Sequence, residues 1–271
     1  MQNTFKVSCI QNNAGENIRQ NIDNITQLLI EAHSEGADLI CLPEYFCYVD
    51  NDDNRMLAHS YYEEEHPALP HFYKLAEQLN VWLHLGSLPI KIDDNKVNNR
   101  SYLINNQGTV EARYNKIHLF DVNLSEGESY LESATVEAGD KPVLASTPWG
   151  RLGMSICYDL RFAYLYRQLA QSGANFLAIP AAFTKTTGMA HWHTLVRARA
   201  IETGCYVFAP CQCGTHPGER TTYGHSLIVD PWGTVLVDAG EKPGYIIADV
   251  DVQQVLLARQ KIPALKHDRQ I

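Results

Sequence analysis

A cysteine, a glutamate and a lysine stand where this sequence could assemble nucleophilic attack on a carbonyl carbon. Cys157 ends the apolar run RLGMSIC, and Asp159, two residues on, is suited to cap a following helix. A thiol at such a strand-to-helix junction faces the positive end of a helix dipole, which favours the thiolate. The backbone N–H of Tyr158 would then point at a developing oxyanion. Glu44 follows the apolar strand LICLP, at the carboxyl end where open α/β sheets place their ligands. Partial burial there would raise its pKa toward a range useful for proton transfer. Lys116, in ARYNKIHLF, comes just as the chain turns apolar again. Taken singly, each residue has a plainer reading: a structural buried cysteine, a solvated loop glutamate, a lysine snorkelling to water.

The elements that must position these groups alternate along the whole chain. After FKVSCI, Ile18, Ile22, Ile25, Leu28, Leu29 and Ala32 recur at helical spacing and Gly36 closes that helix. LICLP reads as a strand buried on both faces. Phe72, Leu75, Ala76 and Leu79 predict a second helix, and VWLHLGSLPI a strand after it. SYLINNQGTVEARY reads as a hairpin turning at Asn105, Asn106 and Gly108. RLGMSIC with RFAYLYRQLAQSGA, and NFLAIP with HTLVRARAIETG, are two strand and helix pairs. CYVFAPCQCG and GHSLIVDPWGTVLVDAG read as strands, the latter turning at Asp230-Pro231-Trp232-Gly233. DVQQVLLARQKIP is a last helix, cut short by Pro263. Interleaving without a linker or repeat implies one α/β domain over residues 1–271.

Composition narrows the partners. With 45% hydrophobic and 20% charged residues, the chain has the make-up of a globular protein. A formal net charge of −9 without a basic block argues against nucleic acid and anionic membrane surfaces. The N-terminal residues lack a secretory pattern, and no stretch has the ~18 apolar residues of a membrane span. Seven cysteines without framework spacing suit a reducing, cytoplasmic compartment.

LPEYF, YNKIHLF and SICYDLRF, in this order and spacing, resemble the nitrilase superfamily of carbon–nitrogen hydrolases. The resemblance runs from KVSCIQ to the IPALKHDR tail. It implies a four-layer α-β-β-α sandwich, a homodimer or higher homo-oligomer paired through the nucleophile-bearing region, and a small-molecule amide substrate. It also implies Glu44 as base, Lys116 as oxyanion stabiliser and Cys157 as nucleophile, with no cofactor and no metal. YLES places Glu132 where the family has a second glutamate that orients the amide and the attacking water. PAAFTKTTGMAHWHTLVRARAIE and CQCGTHPGERTTYGHSLIVDPWGTVL resemble amidases acting on deaminated glutathione more than ω-amidases acting on α-ketoglutaramate. On that resemblance Arg161, Phe183 and Thr187 line the pocket. Met189 and His193 depart from the branch, which usually has proline and glutamate there, and bear on the local helix start and pocket wall. Arg220 and His216 are candidate partners for a terminal glycine carboxylate.

Other readings use the same residues. A Cys-His peptidase would draw on one of 11 histidines, among them His118, His191, His193 and His225. Cys211, Cys213 and His216 could be drawn as a metal site, although a lone C-x-C lacks paired zinc-site spacing. A catalytically silent scaffold would be marked by loss of the nucleophile, base or lysine, and all three are present.

Overall fold

The run TFKVSCIQ forms the strand Thr4–Gln11, and its alternation sets the architecture. Val7 and Cys9 enter one apolar cluster while Ile10 enters another, so both faces of this strand are buried. In this computed structural model, which describes residues 3–50, 53–125 and 128–269, the strand lies second in a six-stranded sheet. That sheet runs Gly244–Asp251, Thr4–Gln11, Leu39–Cys41, Trp82–Lys91, Val97–Ile104, Val110–Asn115. The second six-stranded sheet runs Val235–Asp238, Leu227–Val229, Tyr206–Ala209, Phe176–Ala178, Gly150–Met154, Val143–Thr147. In each sheet the middle strands are parallel and the flanking ones antiparallel.

The sheets pack face to face. Phe5 of the first sheet meets Phe176 and Phe208 of the second edge-on, at 5.3 and 6.4 Å between ring centroids, and stacks on Trp149 at 4.4 Å. Helices cover the outer faces. Ile18–Ser34 opens on Asn17, whose side chain accepts from the Gln20 N–H, and it buries Ile22, Ile25, Leu29 and Ala32. With Leu69, Phe72 and Leu75 of the helix Ala68–Leu79, these cover the first sheet. Leu165 and Leu169 of Ala163–Gln171, and Trp192, Val196 and Ala200 of Lys185–Thr203, cover the second. The result is the expected four-layer α-β-β-α sandwich. Among the described residues no helix is long and apolar enough to cross a membrane.

Several expectations shift. The helix expected over HTLVRARAIETG begins much earlier, at Lys185, because Thr184 caps it through the Thr187 N–H. Met189 therefore sits in an early turn of that helix, 69% exposed. Cys157 lies beyond its strand, which ends at Met154, and opens a short 3-10 turn, Cys157–Arg161. The next α-helix starts only at Ala163, on Phe162, without a side-chain cap. Strand Gly244–Asp251, which pairs with the first strand, and the hairpin Asp121–Ser125 with Glu128–Leu131 carry no plain signal in the sequence.

Gly86, in the strand Trp82–Lys91, marks where the LPE segment crosses its neighbour. A Cβ there would lie 2.0 Å from the Leu42 carbonyl oxygen and 2.1 Å from that of Pro43. We expect Gly86→Ala to cost at least the roughly 1–3 kcal/mol of an overpacked core. Gly15→Ala, where a Cβ meets nothing within 4 Å, should stay within about 0.5 kcal/mol of the parent. Urea unfolding of both variants checks this.

Candidate active site

Four segments from different parts of the sandwich end at one cavity of about 170 Å³, bringing Glu44, Lys116, Glu132 and Cys157 to its lining. Glu44 follows the strand Leu39–Cys41 by three residues and is 2% exposed. Its backbone turn is held by the Tyr45 N–H on the Ser87 hydroxyl, and Tyr45 takes a left-handed φ of 53°. Lys116 follows the strand Val110–Asn115, with its N–H on the Asn99 carbonyl and its own carbonyl accepting from Gly139. Cys157, 8% exposed, holds a left-handed φ of 46°, and its N–H donates to the Pro180 carbonyl at 2.8 Å. A non-glycine residue in that region stores strain, which recurs where a side chain must be aimed.

All three ammonium hydrogens of Lys116 have acceptors: Glu44 Oε1 at 2.9 Å, and Glu132 Oε1 and Oε2 at 3.0 and 2.9 Å. Asn99 Nδ2 bridges the same two carboxylates, at 2.9 Å to Glu44 and 3.2 Å to Glu132. The second Glu44 oxygen accepts the Ala182 N–H at 2.8 Å, and the Cys157 thiol hydrogen-bonds this carboxylate. Phe120 N–H donates to Glu132 at 2.6 Å. Two carboxylates thus share one ammonium with little water, and their remaining lone pairs are met by amides.

Burial alone would push the Glu44 carboxyl up, but Lys116 and the thiol and amide donors hold it below its ordinary range. Burial pushes the Cys157 thiol well up, and the Glu44 charge adds to this against the pull of Lys116. Burial disfavours the Lys116 ammonium, yet Glu132 and Glu44 outweigh it and hold its pKa well above the usual lysine value. Two expectations are corrected. The Glu44 carboxyl is not raised toward neutrality, because a buried ammonium 2.9 Å away, with the thiol and amide donors, outweighs desolvation. The thiol is not depressed by a helix dipole, because no α-helix begins beside it.

Asp159 does not cap the following helix either. It is fully buried and turned inward, accepting from Tyr114 Oη (2.7 Å), Ile156 N–H (2.9 Å), His118 N–H (3.0 Å) and His118 Nδ1 (2.6 Å). Tyr114 and His118 flank Lys116, while Ile156 and Asp159 flank Cys157. One carboxylate therefore fixes the lysine segment against the cysteine turn. Nothing in the sequence singles out Asn99, Tyr45, Asp159 or the Ala182 and Phe120 amides for these contacts, since each meets its partner only across the fold.

Tyr158, Phe183 and Thr187 line the cavity, with the Thr187 hydroxyl 2.8 Å from that of Thr184. Arg161 does not line it. Its guanidinium lies over the Tyr158 and Phe183 rings, 5.8 and 5.6 Å from their centroids, and bonds His191, so it backs the wall. Arg220 does line it, over the Tyr130 ring, with Nη2 on the Ala182 carbonyl at 3.1 Å and a buried, unpartnered Nε. His216 does not line the cavity. Its ring nitrogens meet the Ala14 carbonyl and the Thr222 hydroxyl, and burial lowers its pKa to about 4. Those bonds also remove it from a metal site with Cys211 and Cys213, which are buried. No histidine lines the cavity among the described residues, which leaves the Cys-His peptidase reading without its base.

The chain's likenesses agree with this geometry. A family model described as "Carbon-nitrogen hydrolase" matches residues 6–260. A deaminated glutathione amidase of Synechocystis sp. is 41% identical over 272 residues, covering 97% of each chain. Among solved structures, the C. elegans NitFhit protein superposes with a TM-score of 0.91 at 34% identity, over 99% of this chain but 66% of that longer one. Saccharomyces cerevisiae Nit3, a member of branch 10 of the nitrilase superfamily, superposes at 0.89 with 28% identity over 100% and 98% of the two chains. With the family model spanning nearly all of its length, this chain belongs to the carbon–nitrogen hydrolases of the nitrilase superfamily, enzymes that hydrolyse C–N bonds other than peptide bonds.

Proposed function

We propose that this protein is an amidase in which Cys157 is the nucleophile, Glu44 the base and acid, and Lys116 the oxyanion partner, with deaminated glutathione as substrate. The observation that carries the mechanism is the shared hydrogen-bond set of Glu44, Lys116, Glu132 and Cys157 within one cavity. Glu44 takes the thiol proton as sulfur attacks the amide carbon, and electrons move onto the carbonyl oxygen. With Glu44 low and the thiol high, the proton stays on sulfur until a carbonyl is present to take up the charge. Once protonated, Glu44 is a weaker acceptor, which releases one Lys116 donor toward the oxyanion beside the Tyr158 N–H. Glu44 then protonates the departing amine and leaves a thioester. Water, deprotonated by Glu44 and oriented by Glu132, frees the acid and the cysteine. No step requires a metal or cofactor.

The substrate reading rests on Arg220. Among the described residues, Lys116 and Arg220 are the cations lining the cavity, and Lys116 is committed to carboxylates. Deaminated glutathione would yield 2-oxoglutarate and cysteinylglycine, and Arg220 suits the terminal glycine carboxylate of that leaving group. Thr187, Tyr158 and Phe183 would take the keto-acid end. The Synechocystis relative named for this substrate, matched over 97% of its length, supports the same reading. We further propose one domain over residues 1–271, a cytoplasmic setting, supported by seven free cysteines, and a homodimer or larger assembly. Exposed Tyr164 and Met189 beside the nucleophile-bearing region, at 63% and 69%, support that assembly.

Three measurements test these assignments. Cys157→Ala should abolish turnover with the fold intact by circular dichroism. Glu44→Gln should stop acylation in single-turnover assays, while Glu132→Gln keeps measurable activity; the reverse ranking would exchange their roles. Because Glu44 must be ionised and its pKa is depressed, kcat/KM should hold steady as pH falls to its ordinary value of 4.5 and decline only below it. A limb near pH 6–7 would refute the assignment of Glu44 as the titrating base. The stability linked to Glu44 runs the same way, present above its unfolded pKa and lost as pH falls through the folded one.

Arg220→Ala should lower kcat/KM roughly 10- to 150-fold for deaminated glutathione, the range of a charge-assisted hydrogen bond, and less for α-ketoglutaramate. Equal losses, or a wild-type preference for α-ketoglutaramate, would instead assign the ω-amidase branch.

A further inference from the structure

On the outer side of the second sheet, away from the cavity lining, two histidines and an aspartate converge. His193 projects from the helix Lys185–Thr203, His225 from the segment before strand Leu227–Val229, and Asp238 ends the strand Val235–Asp238. His193 Nε2 lies 3.0 Å from Asp238 Oδ2, and His225 Nδ1 lies 2.9 and 3.1 Å from the two Asp238 oxygens. One ligand atom from each residue falls within 4.8 Å of the other two, and among the described residues this is the group of histidine, cysteine and carboxylate side chains that meets such spacing.

We propose that this cluster is a zinc site that ties the helix bearing Thr187 and Trp192 to the edge of the second sheet. Zinc takes histidine nitrogen at about 2.0–2.1 Å and carboxylate oxygen at about 2.0–2.2 Å, so neighbouring ligands of a tetrahedral ion stand about 3.3 Å apart. The observed histidine–aspartate separations of 2.9–3.1 Å need only a few tenths of an ångström of spreading, and the two imidazole nitrogens stand within 4.8 Å of each other. Two imidazoles and one carboxylate form a donor set suited to zinc, with the fourth position left to water.

The ligands are held before any ion arrives. Tyr223 stacks on the His225 ring at 4.4 Å, and the Trp192 indole N–H donates to the His225 carbonyl at 2.7 Å. The Gly240 N–H fixes one Asp238 oxygen at 2.9 Å, and the His225 backbone N–H donates to the Gly240 carbonyl. His225 adopts a left-handed φ of 53°, a conformation that its surroundings must over-determine. Such second partners orient a ligand and fix its ring. Each imidazole now donates a ring N–H to Asp238; to bind zinc that nitrogen gives up its proton, which moves to the other ring nitrogen or to solvent, and its lone pair takes the ion. No redox step is involved.

The test is a zinc titration of the chelator-treated full chain. Equilibrium dialysis should give one Zn2+ per chain, and thermal denaturation should show Tm rising with zinc concentration. Zinc could also be taken by the cavity thiol, so the same titration on Cys157→Ser separates the two: the Tm rise persists there. It should vanish in His193→Ala and in Asp238→Asn, with affinity lowered at least tenfold. Cobalt in place of zinc should give d–d bands without a sulfur-to-metal band. Amide turnover should be the same before and after chelator treatment, so failure of this proposal leaves the amidase reading untouched. Absence of saturable uptake, or uptake that survives His193→Ala and disappears in Cys157→Ser, would overturn it.

Discussion

The rest of this structure depends on one buried ammonium. Lys116 has three hydrogens and three carboxylate oxygens to give them to, and it is 2% exposed. Removing any one partner would leave an uncompensated buried charge, which costs roughly 3–5 kcal/mol in comparable pairs. Glu44, Glu132 and Lys116 must therefore arrive together, although they lie far apart in the chain. The sandwich meets that demand by ending the LPE segment, the Val110–Asn115 strand and the Glu128–Leu131 arm at one cavity.

Supporting bonds turn that cluster into a defined geometry. Asn99 bridges the two carboxylates, the Ala182 and Phe120 amides take one oxygen from each, and Asp159 clamps the lysine segment to the cysteine turn. Each of these is a buried or part-buried hydrogen bond, so each narrows the positions that its partner can occupy. Strained backbone at Tyr45 and Cys157 is tolerated because these contacts over-determine it. The electrostatic outcome is a Cys157 thiol pushed up by burial beside a Glu44 carboxyl held down by Lys116, the opposite of a thiol favoured as thiolate by a helix dipole.

Much of the frame is legible in the chain. Apolar periodicity locates the helices Ile18–Ser34 and Ala68–Leu79, and both expected hairpin turns form, with Asn105 N–H on the Thr109 carbonyl and Gly233 N–H on that of Asp230. Those elements are set by interactions within a few residues, which sequence spacing records directly. The start of Lys185–Thr203 is not legible, because KTTGMAHW lacks apolar period and its boundary rests on the Thr184 cap. Strand Gly244–Asp251 escapes a reading of local pattern because its partner, Thr4–Gln11, lies at the other end of the chain.

The sequence by itself determined which chemistry was available: a thiol, two carboxylates and a lysine, each beside an element that could present it. Only the tertiary structure decided how those groups are charged and who holds them. A pKa depends on the distance to a neighbouring charge and on the water excluded around it, and neither is a property of position along the chain. For that reason Glu44 is lowered rather than raised, Asp159 is a clamp rather than a cap, and Arg161 is a support behind the wall. His216 and Arg220 stand in the same polar loop and are equal candidates by sequence. The fold separates them: it buries the His216 ring between the Ala14 carbonyl and Thr222, and it sets the Arg220 guanidinium in the cavity, where the Ala182 carbonyl and the Tyr130 ring receive it.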